Sequence, residues 1–412
     1  MNKKTGLLFV INDFNVGGAE LFVLRLGKAL MDECDIYIMD IYPDKSDTKF
    51  KNLFTDAGFK IINRFSRVSK FREQIYWKIN ALFFLFGVKG MYTKLINAYQ
   101  QKNILNTLKE KNIKIVHSHY YSSDYYCDTA FNNNQFKKIV TMHGDYNHNV
   151  YKSMNETDRE NYFLKVKKIV EGCDALTYVA DVNINILNEL NIKPKLQQKI
   201  SLGYETPDYI FENKRDAQHV FTFCMVARAT AAKGWKELVE AFIQLNKSYQ
   251  ATKLICVAPI EGIVKELKAN YNINPSIVFT DYSTAPAYYI QQSDVCVLPT
   301  YFEGESTPYS IIEYLALGKP VIATRVGEIQ EMLAYEGDFA GILLDAESLK
   351  QSDYNELIKA MEKLMIDKEL YLKASETACL AFNKFSMKEC KSKYVELYET
   401  VLNKGVLNFI NE

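Results

Sequence analysis

The chain has 412 residues, too long for one ordinary hydrophobic core, so two domains are the simplest expectation. Hydrophobic residues at 48% and charged residues at 24% are the balance of a folded globular protein and exclude a disordered chain. Lys and Arg (50) cancel Asp and Glu (50), so no global field draws the protein to nucleic acid, and any anion site must be local. The first residues, MNKKTGLLFVINDFN, carry an apolar run too short for a signal peptide and read as a strand entering a turn and a helix. With no export signal, a cytoplasmic location is expected. Strands are expected at GLLFVI, CDIYIMDIY, FKIIN, IKIVHSH, KKIVTMHG and DALTYVA, with amphipathic helices between them such as AELFVLRLGKALM and RENYFLKVKKIVEGC.

Between Arg64 and Lys102 the chain carries Arg64, Arg67, Lys70, Arg72, Lys78, Lys89, Lys94 and Lys102, with Glu73 the only acid and aromatics interleaved. ALFFLFGV, the longest apolar patch, is far below the ~20 residues that cross a bilayer. Two readings stay open: a surface helical pair packed on its own domain, or a basic peripheral contact with an anionic membrane through residues 64–102. Four of the five histidines fall between 117 and 148. Their spacing fits no zinc set; His143, at a strand's carboxyl end in TMHG, reads as a hydrogen-bonding group, and His148 as a surface residue.

Strand periodicity stops at SLGYETPDYIFENKRDAQHV, and the same grammar resumes with FTFCMVA, TKLICVAP, SIVFTD, DVCVLPT and KPVIAT. Continuous apolar strands joined by helices give a parallel sheet covered on both faces, so each half reads as a doubly wound α/β, Rossmann-like domain. The expected domains are residues 1–210 and 211–384, with a C-terminal helix at about 385–412 that packs back on the first through Phe385, Tyr394, Leu397 and Tyr398. The eight cysteines show no C-x-x-C pair; Cys224, Cys256 and Cys296 lie in apolar runs and read as reduced packing residues.

Ligands bind open α/β sheets at the carboxyl ends of their strands, and three loops there stand out. NVGGAE places Gly17 and Gly18 between a strand and a helix N-terminus, where backbone can approach an anion; it is not G-x-G-x-x-G, so a nicotinamide dinucleotide is disfavoured. In VARATAAKGWKELVEAF, Arg228 follows a strand and Lys233 precedes a helix, a fork and a point charge that suit a diphosphate. EGESTPYSIIEYLALGKPVIAT then carries Glu305 and Glu313, eight apart, which on one helix would lie about 80° off a common face. Pro308 instead suggests the first helical position with Thr307 as N-cap, which leaves Glu305 in the loop and Glu313 in the helix, with Gly318 ending it. Both glutamates are acceptors for sugar hydroxyls, and the backbone near Ser306 and Thr307 suits a phosphate.

Together GGAE, TMHG, Arg228 with Lys233–Gly234, the EGESTPYSIIEYLALGKPVIAT run and VGEIQEML resemble retaining nucleotide-sugar glycosyltransferases of family four. The resemblance covers nearly the whole chain and implies the GT-B fold, two Rossmann-like domains facing across a cleft. It further implies that Gly17 and Gly18 approach the donor phosphates, that Arg228 and Lys233 neutralise the departing diphosphate, and that Glu305, Glu313 and His143 meet donor-sugar hydroxyls, ribose hydroxyls and the transferred sugar. Ala227 replaces a glycine usual before the arginine, and SLGYET lacks the usual asparagine–glycine turn. The implied activity is metal-independent hexosyl transfer from a nucleotide-diphosphate sugar, with no cofactor, to a glycan or lipid-linked acceptor in cell-surface polysaccharide or glycoconjugate synthesis. A nucleotide-sugar epimerase or a non-catalytic sugar-nucleotide-binding protein are the alternatives.

Overall fold

The computed structural model describes residues 4–63, 91–131, 135–144, 146, 153–206, 219–271, 274–283, 285–302, 304–349 and 354–407. Of the basic, aromatic stretch, residues 64–90 lie outside the described residues, as does His148; the backbone Met91–Glu110 is helical. The chain forms two compact units.

Unit 1 comprises Met1–Val179, Asn183–Ile200 and Lys391–Glu412. Its strands are β1 (Thr5–Ile11), β2 (Cys34–Asp40), β3 (Lys60–Ile61), β4 (Ile113–His119), β5 (Lys137–Met142), β6 (Ala175–Tyr178) and β7 (Gln197–Lys199). They form one parallel sheet in the order β3-β2-β1-β4-β5-β6-β7. Leu7 through Ile11 are all buried, the consequence of a central strand covered on both faces. Leu8 and Val10 pack with Leu108, Val116 and Phe131, while Val140, Val166, Ile169 and Leu176 form a second cluster.

Unit 2 comprises Ala180–Val182 and Ser201–Cys390. Its main sheet joins β8 (Phe221–Val226), β9 (Thr252–Val257), β10 (Ile277–Thr280), β11 (Val295–Leu298), β12 (Val321–Thr324) and β15 (Gly341–Leu344) in the order β10-β9-β8-β11-β12-β15, all parallel. An antiparallel pair, β13 (Ala334–Tyr335) and β14 (Asp338–Phe339), precedes β15. The division falls at Ile200/Ser201, and residue 210 lies outside the described residues.

In both sheets the strand order reverses beside the first strand of the unit: between β1 and β4, and between β8 and β11. In open α/β sheets, ligands bind in the crevice at the carboxyl ends of strands at such a reversal. Gly17 and Tyr120 stand there in unit 1, Arg228 and Thr300 in unit 2.

The C-terminal helix Met387–Leu407 begins in unit 2, and from Lys391 its residues belong to unit 1, where Tyr394, Leu397 and Tyr398 are buried. The tyrosines do more than fill space. His117, fully buried on β4, is held by the Tyr398 hydroxyl at Nδ1 (2.8 Å) and the Thr141 hydroxyl at Nε2 (2.6 Å). Thr141 meets Thr177 at 2.5 Å, and the Tyr394 hydroxyl lies 3.3 Å from both threonines. Burial lowers the His117 pKa to about 3, so the ring is a neutral hydrogen-bonding strut. Tyr398→Phe removes a partner of that buried nitrogen and is expected to cost about 1–3 kcal/mol, read as a lower urea midpoint with unchanged native circular dichroism.

Candidate functional site

In unit 2 the site grows from two strand ends. The chain leaves β8 at Val226, whose N–H donates to the Tyr314 hydroxyl (2.7 Å), and Arg228 follows with its side chain exposed. The Arg228 carbonyl accepts from Trp235 Nε1 (2.8 Å), and Trp235 is fully buried, so the whole β8-to-helix connection is pinned to the core. Ala231–Lys233 form one 3-10 turn before Gly234 (φ +85°) and the helix Trp235–Ser248. From the other side, Thr300 and Phe302 follow β11; the Tyr301 N–H donates to the Ala232 carbonyl (2.9 Å), and the Thr300 hydroxyl lies 3.2 Å from the same carbonyl.

These two connections bring Lys233 and Glu305 into a direct ion pair. Both side chains are buried, and the Thr300 hydroxyl donates to Glu305 Oε2 at 3.1 Å. Burial lowers the Lys233 pKa, opposed by the Glu305 charge, with the neighbouring Arg228 lowering it further. The partly exposed ring of Phe302 lies 5.2 Å from Lys233 Nζ and 5.9 Å from Arg228 Cζ, so one aromatic face serves both cations.

Glu305 lies in the loop and Glu313 in the helix Tyr309–Ala316, as the sequence spacing indicates, and Gly318 (φ +62°) follows the helix end. The helix start differs from expectation. Pro308 occupies the N-cap position with extended ψ (124°), and no side chain caps the helix, so Thr307 is not the N-cap. The physical reason is that the fixed φ of proline (−65° here) suits either position, and ψ, which the sequence does not reveal, decides between them. Ser306 and Glu313 are buried. Arg228, Lys233 and Glu305 are thus gathered at one switch point, with Ser306 and Thr307 next in the same turn.

In unit 1, Gly17 and Gly18 open the helix Gly18–Ala29, with Gly17 as an extended N-cap (φ −151°, ψ 164°). Beside them is a residue the sequence reading passed over. The carboxyl of Glu20 folds back over the glycine: a β-carbon on Gly17 would stand 2.3 Å from Oε2. Tyr120, which holds φ at +82° immediately after β4, donates its hydroxyl to that oxygen (3.1 Å). Non-glycine residues rarely adopt such a φ, and the sequence carried no signal for it. His143 follows β5, with Nε2 2.9 Å from His119 Nδ1 and its ring centroid 5.4 Å from that of Phe22. Burial holds both His119 and His143 well below 6.5, so the pair is neutral. Among the described residues no group of three or more His, Cys, Asp and Glu side chains suits a metal ion.

Glu20 is the group whose titration should be visible. Burial raises its pKa from 4.5 to about 7, against its own backbone hydrogen bond and that of Tyr120, which favour the charged form. Below pH 4.5 it is protonated in both folded and unfolded chains; as pH rises towards 7 the unfolded chain releases the proton first, so this stabilising contribution is lost across that window. Asp124, buried in the same unit and also raised to about 7, acts in the same direction. Glu20→Gln is therefore expected to remove a loss of ~3 kcal/mol between pH 4.5 and 7.5 from the wild-type pH–stability curve, measured by urea titration at each pH, leaving the share of Asp124.

Residues 220–367 match the family of glycosyl transferases group 1. Over 243 residues the chain is 23% identical to the MMP alpha-(1->4)-mannosyltransferase of Mycolicibacterium hassiacum, covering 57% of this chain and 56% of that protein. Over 314 residues it is 24% identical to the N-acetyl-alpha-D-glucosaminyl L-malate synthase of Bacillus anthracis, covering 71% of this chain and 76% of that protein. The crystal structure of Anabaena Alr3699/HepE in complex with UDP and glucose superposes with a TM-score of 0.72 at 14% identity, covering 96% of this chain and all (100%) of that one. The chain accordingly has the GT-B fold, and its match to the group 1 glycosyl transferases is confined to residues 220–367, most of unit 2.

Proposed function

We propose that the protein is a retaining, family-four hexosyltransferase that moves a sugar from a nucleotide-diphosphate donor to a glycan or lipid-linked acceptor, without a metal or other cofactor. The observation that carries this reading is the buried Lys233–Glu305 pair beside Arg228. Burying two charges costs several kcal/mol per ion, and a pair of this kind is weak support for stability. It is well suited to exchange: an arriving diphosphate draws the Lys233 ammonium, and Glu305 is released to accept hydrogen bonds from the donor-sugar hydroxyls. The names of the two relatives above carry different sugars, mannosyl and N-acetylglucosaminyl, so they favour glycosyl transfer without fixing one sugar.

The chemistry follows from where charge develops. As the bond between the anomeric carbon and the phosphate oxygen breaks, its electron pair passes to the diphosphate and the sugar becomes oxocarbenium-like. Arg228 and Lys233 supply fixed positive charge there, doing the work a metal ion does elsewhere. The turn at Ser306–Thr307 precedes the positive end of the helix Tyr309–Ala316, a feature that favours an anion. Glu313 takes the ribose hydroxyls; Gly17, Gly18 and His143 keep the roles the resemblance gives them, towards the donor phosphates and the transferred sugar. The acceptor hydroxyl attacks from the leaving-group face, and its proton passes to a phosphate oxygen. Polysaccharide or glycoconjugate synthesis at the cytoplasmic side of a membrane, with residues 64–102 as a peripheral contact, is the cellular setting that fits a lipid-linked acceptor.

A mass-spectrometric screen of nucleotide sugars for slow hydrolysis tests this reading and names the donor. Free sugar and nucleoside diphosphate are the expected products; an epimerised sugar released without an acceptor would favour the epimerase alternative, and binding without turnover the non-catalytic one. Arg228→Ala is expected to lower turnover about 100-fold while the protein stays folded; an unchanged rate in purified variant contradicts the assignment.

A further inference from the structure

Glu328 is buried, yet it lies outside the charged constellation described above. Its backbone and its side chain point in two directions that matter. The backbone N–H donates to the Ser306 carbonyl (3.1 Å). The preceding Gly327 holds φ at +58°, and a β-carbon there would stand 2.4 Å from the Glu305 carbonyl oxygen and 2.9 Å from that of Ser306. The 305–306 turn therefore rests directly on the Gly327–Glu328 backbone, which only a glycine at 327 permits. The carboxylate reaches the other way: Oε1 accepts the Asp181 N–H at 2.6 Å, across 147 positions of sequence.

Asp181 belongs to the three-residue segment Ala180–Val182, which packs with unit 2 although the chain before Val179 and after Asn183 packs with unit 1. A short, charge-assisted hydrogen bond to a buried carboxylate is roughly twice as strong as a neutral one. One residue thus holds this inserted segment by its side chain and the 305–306 turn by its backbone.

We infer that Glu328 is a positioning residue that couples the Ala180–Val182 segment to the turn carrying Glu305 and Ser306. Through that turn it sets the geometry in which the sugar nucleotide is bound. The inference rests on the proposed function for its kinetic consequence, and on the geometry alone for its mechanical one. With the carboxylate in place, the segment and the turn move together. Without it, the turn keeps the Glu328 N–H and its Lys233 partner, but the backbone that carries that N–H loses its tie to Ala180–Val182.

The test has two arms. In the kinetic arm, Glu328→Ala raises the KM for the hydrolysed sugar nucleotide about 10-fold with kcat within about threefold, because binding geometry is lost and not the charge that stabilises the leaving group. Glu328→Gln, which keeps an acceptor oxygen, stays within about threefold of wild type in KM. A merely structural role would lower kcat through a smaller active fraction and leave KM unchanged, and that result overturns the inference. In the second arm, hydrogen exchange followed by mass spectrometry reads peptides over 175–185 and 300–310. Glu328→Ala speeds exchange in both; faster exchange in the first alone, or in neither, overturns the coupling. If the wild-type protein turns over no sugar nucleotide, the proposed function fails, and the exchange arm still decides the coupling.

Discussion

The Lys233–Glu305 ion pair is the constraint from which the candidate site is built. It exists because the chain leaves two neighbouring parallel strands, β8 and β11, at the point where the strand order reverses. Everything around it serves to hold two opposite charges out of water: Trp235 anchors the lysine's turn through the Arg228 carbonyl, Thr300 bonds the glutamate, and the Phe302 face lies over both cations. A buried pair is expensive in free energy, and separating its partners leaves an uncompensated charge unless a ligand supplies the opposite one. That combination suits a site whose ligand brings its own negative charge.

Unit 1 answers with the same architecture and a different chemistry. Its switch point, between β1 and β4, carries a buried carboxyl, a tyrosine at positive φ and neutral histidines. Glu20 with a raised pKa and Tyr120 with positive φ are the kinds of departure that cluster at working sites. The tyrosines of the C-terminal helix complete this arrangement from behind, since Tyr398 and Tyr394 reach the histidine and threonines on β4, β5 and β6.

Much of this was legible in the sequence. Runs such as GLLFVI and DVCVLPT declare strands buried on both faces, because a continuous apolar run needs cover on each side, and runs of this kind place Arg228 and His143 just past strand ends and Glu305 in the loop beyond one. Gly318 declared a helix end by the φ it tolerates. What stayed hidden depends on ψ and on distance. The edge strand β7, Gln197–Lys199, is polar and gains its pairing only from β6. The Pro308 cap turns on one dihedral angle. Glu20, Tyr120 and Glu328 become notable through partners at 120, 20 and 181, and no periodicity in a single sequence encodes such meetings.

Crystals grown with UDP put the account to its sharpest trial. If it holds, the diphosphate oxygens lie within hydrogen-bonding distance of Lys233 Nζ and the Arg228 guanidinium, and the Lys233–Glu305 contact has lengthened to admit them. UDP bound in another part of the molecule, with that ion pair undisturbed, contradicts it.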